Sequence, residues 1–307
     1  MRVLTVIITF NDAAVIGQAL EGLRRQTRPS DAIVIVDNAS TDGTLDQNFS
    51  DTVIIFRNSK NLGPSGAVRV GFAFAFENGF DWTWVLDADS VPEPEALEKL
   101  LAFFTHLTTP HQENLCFLAS WPANETGGVK QQPMGLENAE LKVLPLASVR
   151  NSTRCDCMLW SGSLFRMTAV ARIGPPPADY VADMGEIEYG YRARQLGFTS
   201  YVVHNSVVIH DVGRGPGVGS RLYRFGPFKL PLVETSPWRS YYAIRNMIYF
   251  WLYQCKPRRP KPIVRVILIV FLFASSFVLR PLSHRPQLIA CIRAIRDGLT
   301  GNMAARY

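Results

Sequence analysis

Four strongly apolar stretches recur along the first part of this chain, and each has the length of a buried β-strand. They are VLTVIITF (residues 3–10), AIVIVD (32–37), TVIIFR (52–57) and WTWVLD (82–87). Segments with helical spacing of apolar residues lie over residues 13–26 and 65–79. Fully apolar strands that are separated by helices form parallel sheets with helices on both faces. The sequence therefore predicts an α/β fold around a mostly parallel sheet.

Composition agrees with a folded protein of this class. The chain has 307 residues, of which 47% are apolar and 19% charged, so it can bury a substantial core and is not disordered. The first strand follows Met1 at once, without the pattern of a signal peptide, and we expect the body of the protein in the cytoplasm. Five cysteines are too few and too irregularly spaced for a disulfide framework or a structural zinc site, and we expect reduced thiols.

The basic character of the chain is concentrated in its C-terminal part. Residues 256–307 carry ten Lys and Arg residues and a single acid, Asp297. The same part contains a 17-residue apolar run, IVRVILIVFLFASSFVL (263–279), with the basic segments KPRRPKP and RPLSHRP on either side. This run is slightly shorter than the ~20 residues of a membrane-spanning helix. We therefore expect residues 256–296 to associate peripherally or monotopically with the inner membrane; a re-entrant or spanning segment and a buried soluble helix are the alternatives. No nucleic-acid-binding module is recognisable, so nucleic acid is not an expected partner.

The regular pattern weakens between residues 108 and 154, which predicts an insertion or a series of irregular strands. Order returns with a strand and helix over residues 157–174, a helix over 185–197, and a strand or strand pair over 199–213. Glycines predict a mobile loop over 213–221, and a long helix follows over 238–254.

Polar side chains follow each of the four apolar strands of the first part. They are Thr9 and Asn11, Asp37 and Asn38, Asn61, and the pair Asp87 and Asp89. In parallel sheets, ligands bind at the carboxyl ends of the strands, so we expect these residues at one ligand-binding edge. Two carboxylates one residue apart cannot both enter an apolar core unless a cation neutralises them. Asp87 and Asp89 therefore predict a site for Mg²⁺ or Mn²⁺ that also holds substrate phosphates.

Six segments, in this order, resemble the family 2 glycosyltransferases of GT-A fold. They are VIITFN, IVIVDNASTDGT, NLGPSGAVRVG, WVLDADS, WSGSLFR and GEIEYGYRARQLG. Within that family the pattern is most similar to bacterial rhamnosyltransferases and galactofuranosyltransferases of cell-envelope polysaccharide assembly. The resemblance covers about residues 1–250 and implies a catalytic domain over 1–235. This domain would comprise a nucleotide-sugar half (1–107) and an acceptor half (108–235), followed by a helical membrane-associating region over 236–307.

The resemblance also implies roles for individual residues. Thr9, Asn11, Asp37 and Asn38 would hold the nucleotide, and Asn61, Gly63 and Gly66 would lie beside the sugar donor. Asp87 and Asp89 would bind the divalent metal, with His210 as a further ligand. Trp160, Ser161 and Gly162 would form the acceptor floor, although Trp160 could equally be core packing. Arg214 and Arg221 would belong to a lid over the diphosphate, for which a plain surface loop is the alternative.

The catalytic base is expected within GEIEYGYRARQLG. Residues two apart on a helix point about 200° apart, so Glu186 and Glu188 cannot share one task. The resemblance favours Glu186 as the base, with Glu188 and then Asp183 as the next candidates. Carboxylates that merely stabilise the helix N-terminus are the structural alternative.

Together with these observations, the resemblance implies a metal-dependent inverting glycosyltransferase. It would transfer a sugar from a UDP- or dTDP-sugar to a saccharide or lipid-linked acceptor in cell-envelope polysaccharide synthesis. One alternative is a nucleotidyltransferase that makes a sugar nucleotide, although TFNDAAVIGQ (9–18) lacks the glycine-rich basic stretch usual after its first strand. The other alternative is a protein of this fold that binds a nucleotide or nucleotide sugar without catalysis.

Overall fold

The computed structural model describes residues 1–124, 132–137, 140–144, 151–210, 219–225, 228–234, 236–255 and 285–304. The chain forms two compact units. Unit 1 comprises Met1–Leu136, Leu141–Ala178 and Gly185–Asp211, and unit 2 comprises Glu137–Glu140, Asp179–Met184 and Val212–Tyr307. The division expected at residue 235 stays a prediction.

Unit 1 begins with alternating strands and helices. These are β1 (Val3–Thr9), α1 (Ile16–Arg24), β2 (Ala32–Asp37), β3 (Val53–Arg57), α2 (Gly63–Glu77), β4 (Trp82–Asp87), β5 (Ser90–Pro92), α3 (Ala96–His106) and α4 (Thr109–Glu113). The chain continues with β6 (Leu115–Ala123), β7 (Met134–Glu137), β8 (Glu140–Val143), β9 (Ser152–Cys155), β10 (Ser163–Arg166), α5 (Met167–Ile173), α6 (Gly185–Gln195) and β11 (Thr199–His210).

One sheet organises unit 1, in the strand order β3-β2-β1-β4-β10-β6-β11-β5, with β9 also paired to β11. Strands β1, β2, β3 and β4 are mutually parallel, as predicted from their apolar sequences. Strand β10 runs antiparallel between β4 and β6, and β6 is parallel to β11. One core cluster includes residues of α2, α5 and α6, and a second includes residues of α1 and α3. The α/β fold with a mostly parallel central sheet is therefore confirmed.

The described residues between 108 and 154 are more regular than the sequence suggested. Strand β6 is buried along most of its length and occupies the interior of the sheet between β10 and β11. Its sequence, LCFLASWPA, contains Pro122, a residue that usually argues against a central strand. Pro122 lies near the end of β6, opposite Val208 of β11, where the pairing continues after a register shift.

The segment after β4 forms a short strand before the next helix. Ser90–Pro92 is strand β5, and helix α3 begins at Ala96, two residues after Pro94. Strand β5 pairs antiparallel with β11, and His210 lies opposite Ser90 in that register. This pairing brings the end of β11 to the turn that follows β4.

Helix α6 packs closely on the turn that precedes β10. A Cβ atom on Gly190 would lie only 2.1 Å from the backbone oxygen of Asp156 and 3.0 Å from Cys157 Sγ. Cys157 Sγ itself lies 3.8 Å from the carbonyl oxygen of Ile187. Gly190 therefore sets the distance between α6 and this turn.

We expect Gly190→Ala to lower the free energy of unfolding by about 1–3 kcal/mol or more, because the new methyl group collides with backbone atoms. Gly17→Ala is the matched control, since a Cβ there meets only Gln47 Oε1 at 3.6 Å. Within α1, that change should be neutral or stabilising by up to about 1 kcal/mol. Denaturant unfolding measures both, and equal stabilities of the two variants would contradict the packing argument.

Unit 2 contains the C-terminal elements. They are β12 (Gly219–Phe225), β13 (Phe228–Glu234), α7 (Pro237–Tyr249) with a π-helical end at Phe250–Gln254, and α8 (Arg285–Thr300). The prediction of a loop over 213–221 is wrong for its last residues, because Gly219–Phe225 pairs antiparallel with Phe228–Glu234.

In the described part of the chain, no helix is both long enough and apolar enough to cross a membrane. The apolar run 263–279 lies outside the described residues.

Buried polar contacts hold the helices of unit 2 together. Tyr241 Oη donates to Asp297 Oδ2 at 2.7 Å, and both side chains are almost fully buried. The fully buried Arg245 donates to the carbonyl oxygens of Asp179 and Met303. These contacts fix α7 against α8 and the 179–184 segment.

Candidate functional site: a carboxylate and imidazole cluster at the sheet edge

Asp87, Asp89 and His210 form a compact cluster at the carboxyl end of β4. Each offers one ligand atom, and the three atoms lie within 4.8 Å of one another. His210 Nδ1 is 3.2 Å from Asp89 Oδ1, and His210 Nε2 is 3.9 Å from Asp87 Oδ2. The structure thus brings together the three residues that the sequence proposed as metal ligands. Two carboxylates and one imidazole are a suitable donor set for a divalent cation such as Mn²⁺.

Two buried serines connect this cluster to the sheet. The Asp87 backbone N–H donates to Ser161 Oγ at 3.0 Å, and the Ser161 hydroxyl donates to Ser90 Oγ at 2.7 Å. A further hydrogen bond of 2.6 Å joins Ser90 Oγ and His210 Nδ1. Because Ser90 and Ser161 are buried, these bonds fix the imidazole ring of His210 relative to Asp87.

We expect Ser90→Ala to weaken Mn²⁺ binding by about tenfold, because outer hydrogen bonds to a metal-binding histidine are typically worth 10–100-fold in affinity. Ser120→Ala is the matched control, since Ser120 is also buried but bonds to Ser206 Oγ at 2.8 Å. Calorimetric titration with Mn²⁺ alone measures the effect. Equal affinities in the two variants would show that Ser90 does not position His210.

Several carboxylates lie close together in and beside the cluster. Partial removal of water raises the pKa of the Asp87 carboxyl to about 6; His210 lowers this pKa, and Asp89 and Asp12 raise it. The Asp87 side chain nevertheless keeps 36% of its surface accessible, so a cation can reach it from solvent. Burial also raises the pKa of Asp12, and the charge of Asp89 adds to this increase. A divalent cation would relieve the repulsion among these carboxylates.

Asp12 is a carboxylate of this edge that the sequence analysis did not select. Its Oδ2 accepts hydrogen bonds from the Thr9 hydroxyl and the Phe10 backbone N–H, both at 2.9 Å. The sequence feature that could have identified Asp12 is its position one residue after Asn11, directly beyond β1. Thr9 is buried, and its hydroxyl is engaged by Asp12.

Asp37 ends β2, Asn38 follows it directly, and both residues are buried. The Asp37 carboxylate accepts from the Ser40 backbone N–H at 3.2 Å and lies 3.5 Å from Arg57 Nε. Asn38 donates to the carbonyl oxygen of Gly63 at 3.2 Å and so contacts the first residue of α2. These two residues therefore tie the end of β2 to its neighbours on the ligand edge.

The N-terminus of α2 is shaped by Asn61 and two glycines. Asn61 Oδ1 accepts from the Gly63 backbone N–H at 2.7 Å, and Gly63 has a φ of 70° that favours glycine. A Cβ on Gly66 would lie 2.5 Å from Leu62 Cβ. Asn11, which follows β1, has a φ of 59°, and its side chain accepts from the Thr41 backbone N–H at 2.8 Å.

The three base candidates have different surroundings. Glu186 is half-buried in the first turn of α6. Glu188 is only 6% exposed and forms a bidentate pair with Arg192, with N···O distances of 3.0 and 3.1 Å. Burial raises the pKa of Glu188, and Arg192 lowers it. Asp183 belongs to unit 2, where its carboxylate pairs with Arg239 at 3.1 Å.

The proposed acceptor residues lie in and beside the core. Trp160 is 5% exposed and packs its ring against Phe165 and Tyr189, each with ring centroids 5.6 Å apart. Gly162 has a φ of 81° and donates its backbone N–H to Val85 at 2.8 Å. Arg214 lies outside the described residues. Arg221 lies in β12, where only the backbone is described. The acceptor and lid roles of these residues stay predictions.

The part of the chain that forms this edge of the sheet is similar to known proteins. Residues 5–109, which include Asp87 and Asp89, match the family model described as "Glycosyl transferase family 2". The predicted resemblance to the family 2 glycosyltransferases is confirmed. The matched segment runs from β1 to the start of α4 and therefore includes all four strands of the ligand edge.

Two curated relatives extend this similarity. Undecaprenyl-phosphate mannosyltransferase of Micrococcus luteus is 38% identical over 108 residues, which are 33% of this chain and 43% of that protein. Galactofuranosyltransferase GlfT1 of Mycobacterium tuberculosis is 23% identical over 219 residues, which are 69% of this chain and 70% of that protein. The chain thus spans less than half of the first relative and about two thirds of the second.

A solved structure supports the GT-A fold. The mannosyltransferase PcManGT from Pyrobaculum calidifontis, in complex with GDP-Man and Mn²⁺, superimposes with a TM-score of 0.53 at 12% identity. The match covers 98% of this chain and 87% of that protein. At this identity the similarity concerns the fold alone.

Proposed function

We propose that this protein is a divalent-metal-dependent, inverting glycosyltransferase. It transfers a sugar from a UDP- or dTDP-sugar to a saccharide or lipid-linked saccharide during cell-envelope polysaccharide synthesis. The observation that carries the proposal is the Asp87, Asp89 and His210 cluster at the ligand edge of the family 2 domain. The relatives support the reaction class, since one is named a mannosyltransferase and another a galactofuranosyltransferase.

On the donor side, the nucleotide lies along the ends of β1 and β2, beside Thr9, Asn11, Asp37 and Asn38. The diphosphate lies near the metal cluster, and Asn61, Gly63 and Gly66 at the start of α2 lie beside the donor. Asp87, Asp89 and His210 would hold the cation, and the mixed oxygen and nitrogen donor set favours Mn²⁺ over Mg²⁺. When bound, the metal supplies positive charge that balances the developing charge of the departing diphosphate.

On the acceptor side, Glu186 acts as the base. Its carboxylate takes the proton of the acceptor hydroxyl while that oxygen bonds to the anomeric carbon and the bond to the diphosphate oxygen breaks. Glu188 is less suited to this role, because its two oxygens are already held by Arg192. The half-buried position of Glu186 in the first turn of α6 leaves it closer to solvent than the buried Glu188.

A panel of UDP-, dTDP- and GDP-sugars tests the proposal by thermal shift, with Mn²⁺ and with a chelator. A cognate donor at 100 times its Kd contributes about 2.7 kcal/mol to stability, enough to raise Tm by several degrees. We expect this shift with UDP- or dTDP-sugar and Mn²⁺, and little without metal. Equal stabilisation in the presence of chelator would contradict metal dependence.

Product analysis separates the alternatives. Incubation of the stabilising donor with saccharide and lipid-linked acceptors should release the nucleoside diphosphate and form a glycoside of inverted configuration. Release of pyrophosphate from a nucleoside triphosphate and a sugar 1-phosphate would instead indicate the nucleotidyltransferase. Donor binding with no transfer to any acceptor would favour the non-catalytic binding protein.

A further inference from the structure

Helix α8 of unit 2 has one face that is buried against its own unit. The buried residues of this helix are Gln287, Ala290, Cys291, Ala294, Asp297 and Gly298. Gln287 bonds to Ser240 of α7, and a Cβ on Gly298 would lie 2.9 Å from Ile248 Cβ. At 100° per residue, these positions fall within an arc of about 120°. The rest of the helix surface faces away from α7.

The outward face of α8 is unusually apolar. Leu288, Ile289, Ile292 and Leu299 are 39%, 49%, 58% and 46% exposed. At the helical repeat they fall within an arc of about 100°, which they share with Arg296, and so they form a mainly aliphatic stripe. Contiguous exposed aliphatic side chains mark interaction sites for proteins or membranes.

The charges of α8 are arranged asymmetrically around this stripe. Arg293 and Arg296 are exposed and lie on the outward side of the helix, and Arg296 pairs with Asp297 Oδ1 at 3.0 Å. Asp297, the single acid of residues 256–307, points inward to Tyr241 and is 1% exposed. The outward face therefore presents aliphatic and cationic groups, and no carboxylate of α8 lies on it.

The outward face of α8 has two features of a helix that lies on a lipid surface. Such a helix buries an aliphatic stripe at the acyl boundary and places Arg or Lys residues at the headgroups. The sequence immediately before α8 adds an apolar run (263–279) and two basic segments, which suit the same surface. The cationic surplus of residues 256–307 is complementary to anionic headgroups.

We propose that the outward face of α8, with Leu288, Ile289, Ile292 and Leu299 inserted and Arg293 at the headgroups, binds an anionic lipid membrane surface. The aliphatic stripe supplies the affinity through burial in the acyl boundary, and Arg293 supplies the preference for anionic lipid. This proposal goes beyond the glycosyltransferase reaction and does not depend on it.

Vesicle flotation of the full chain tests the proposal with the triple variant Leu288→Gln, Ile289→Gln, Ile292→Gln. We expect the wild type to bind vesicles that contain phosphatidylglycerol and the triple variant to bind about tenfold or more weakly, because burial of each aliphatic side chain contributes to interfacial affinity. The matched control replaces three comparably exposed aliphatic residues of unit 1 by Gln: Ile54, Ile55 and Leu196, which are 39%, 41% and 50% exposed. That control should bind as the wild type does.

A second variant keeps the test informative if the triple variant unfolds. Ile292→Gln alone changes the most exposed residue of the stripe, and it should weaken binding by a smaller factor at unchanged Tm. Arg293→Gln should weaken binding to phosphatidylglycerol vesicles and leave binding to zwitterionic vesicles unchanged.

Three outcomes would overturn the proposal. They are wild-type affinity of the folded triple variant, equal affinity of the wild type for anionic and zwitterionic vesicles, and absence of vesicle binding by the wild type. A change of oligomeric state in the triple variant at unchanged vesicle binding would assign the stripe to a second copy instead. Donor-induced thermal shifts, measured in the same samples, report separately on the proposed reaction.

Discussion

Asp89→Asn should lower kcat by about a thousandfold or more, corresponding to about 4 kcal/mol of lost transition-state stabilisation. The reason is that Asp89 lies 3.2 Å from His210 and is central to the proposed metal site. The amide keeps the size of the side chain but removes the negative charge that attracts the cation. Initial-rate kinetics with the cognate donor, measured over a range of Mn²⁺ concentrations, give kcat and the apparent metal affinity together.

Asp51→Asn is the control for this variant, because Asp51 is an exposed aspartate in the turn before β3. It should retain the turnover and metal affinity of the wild type. The Asp89 variant should also lose the heat of Mn²⁺ binding measured by calorimetry, which requires no turnover. Normal metal binding and normal turnover in the Asp89 variant would place the cation elsewhere.

Glu186→Gln and Glu188→Gln should affect different properties of the protein. The Glu186 variant should lose about 10²- to 10⁴-fold in kcat, the usual contribution of a general base, while donor affinity stays constant. The Glu188 variant should instead lose about 1–3 kcal/mol of stability, because it breaks a buried charged pair with Arg192. Its folded fraction should retain turnover.

Each variant of this pair is the other's control, since the substitution is the same and the residues are two positions apart on α6. Steady-state kinetics and denaturant unfolding on both proteins separate the two effects. If the Glu188 variant lost turnover at unchanged stability and the Glu186 variant remained active, the assignment of the base would be reversed. Asp183 is a third candidate, and Asp183→Asn should leave kcat within a fewfold of the wild type.

The first half of the fold could be predicted because the local sequence of each strand is enough to identify it. Strands β1, β2 and β4 are buried on both faces, so their sequences are continuously apolar. The same feature placed Asp37, Asp87 and Asp89 at one edge, since the ends of parallel strands meet there. Strand β6 was missed because Pro122 and the polar Ser120 interrupt its pattern, and only its neighbours in the sheet show that it is central.

The sequence could also propose the metal ligands but not their supports. Ser90 is a serine between Asp89 and Val91, and nothing local distinguishes it from a turn residue. Its role follows from the register of β5 with β11, which places it opposite His210. Asp12 was overlooked for a related reason, because its charge matters only through its proximity to Asp87 and Asp89.

By itself, the sequence determined which strands form the parallel half of the sheet and which polar residues end them. The reason is that local apolar patterns indicate both burial and strand direction. Only the tertiary structure decided that Ser90 holds His210 beside Asp87 and Asp89, and that Glu188 pairs with Arg192. These contacts depend on strand pairing over more than a hundred residues and on which side of α6 faces the core. The residues adjacent in the chain determine neither this strand pairing nor the side of α6 that faces the core.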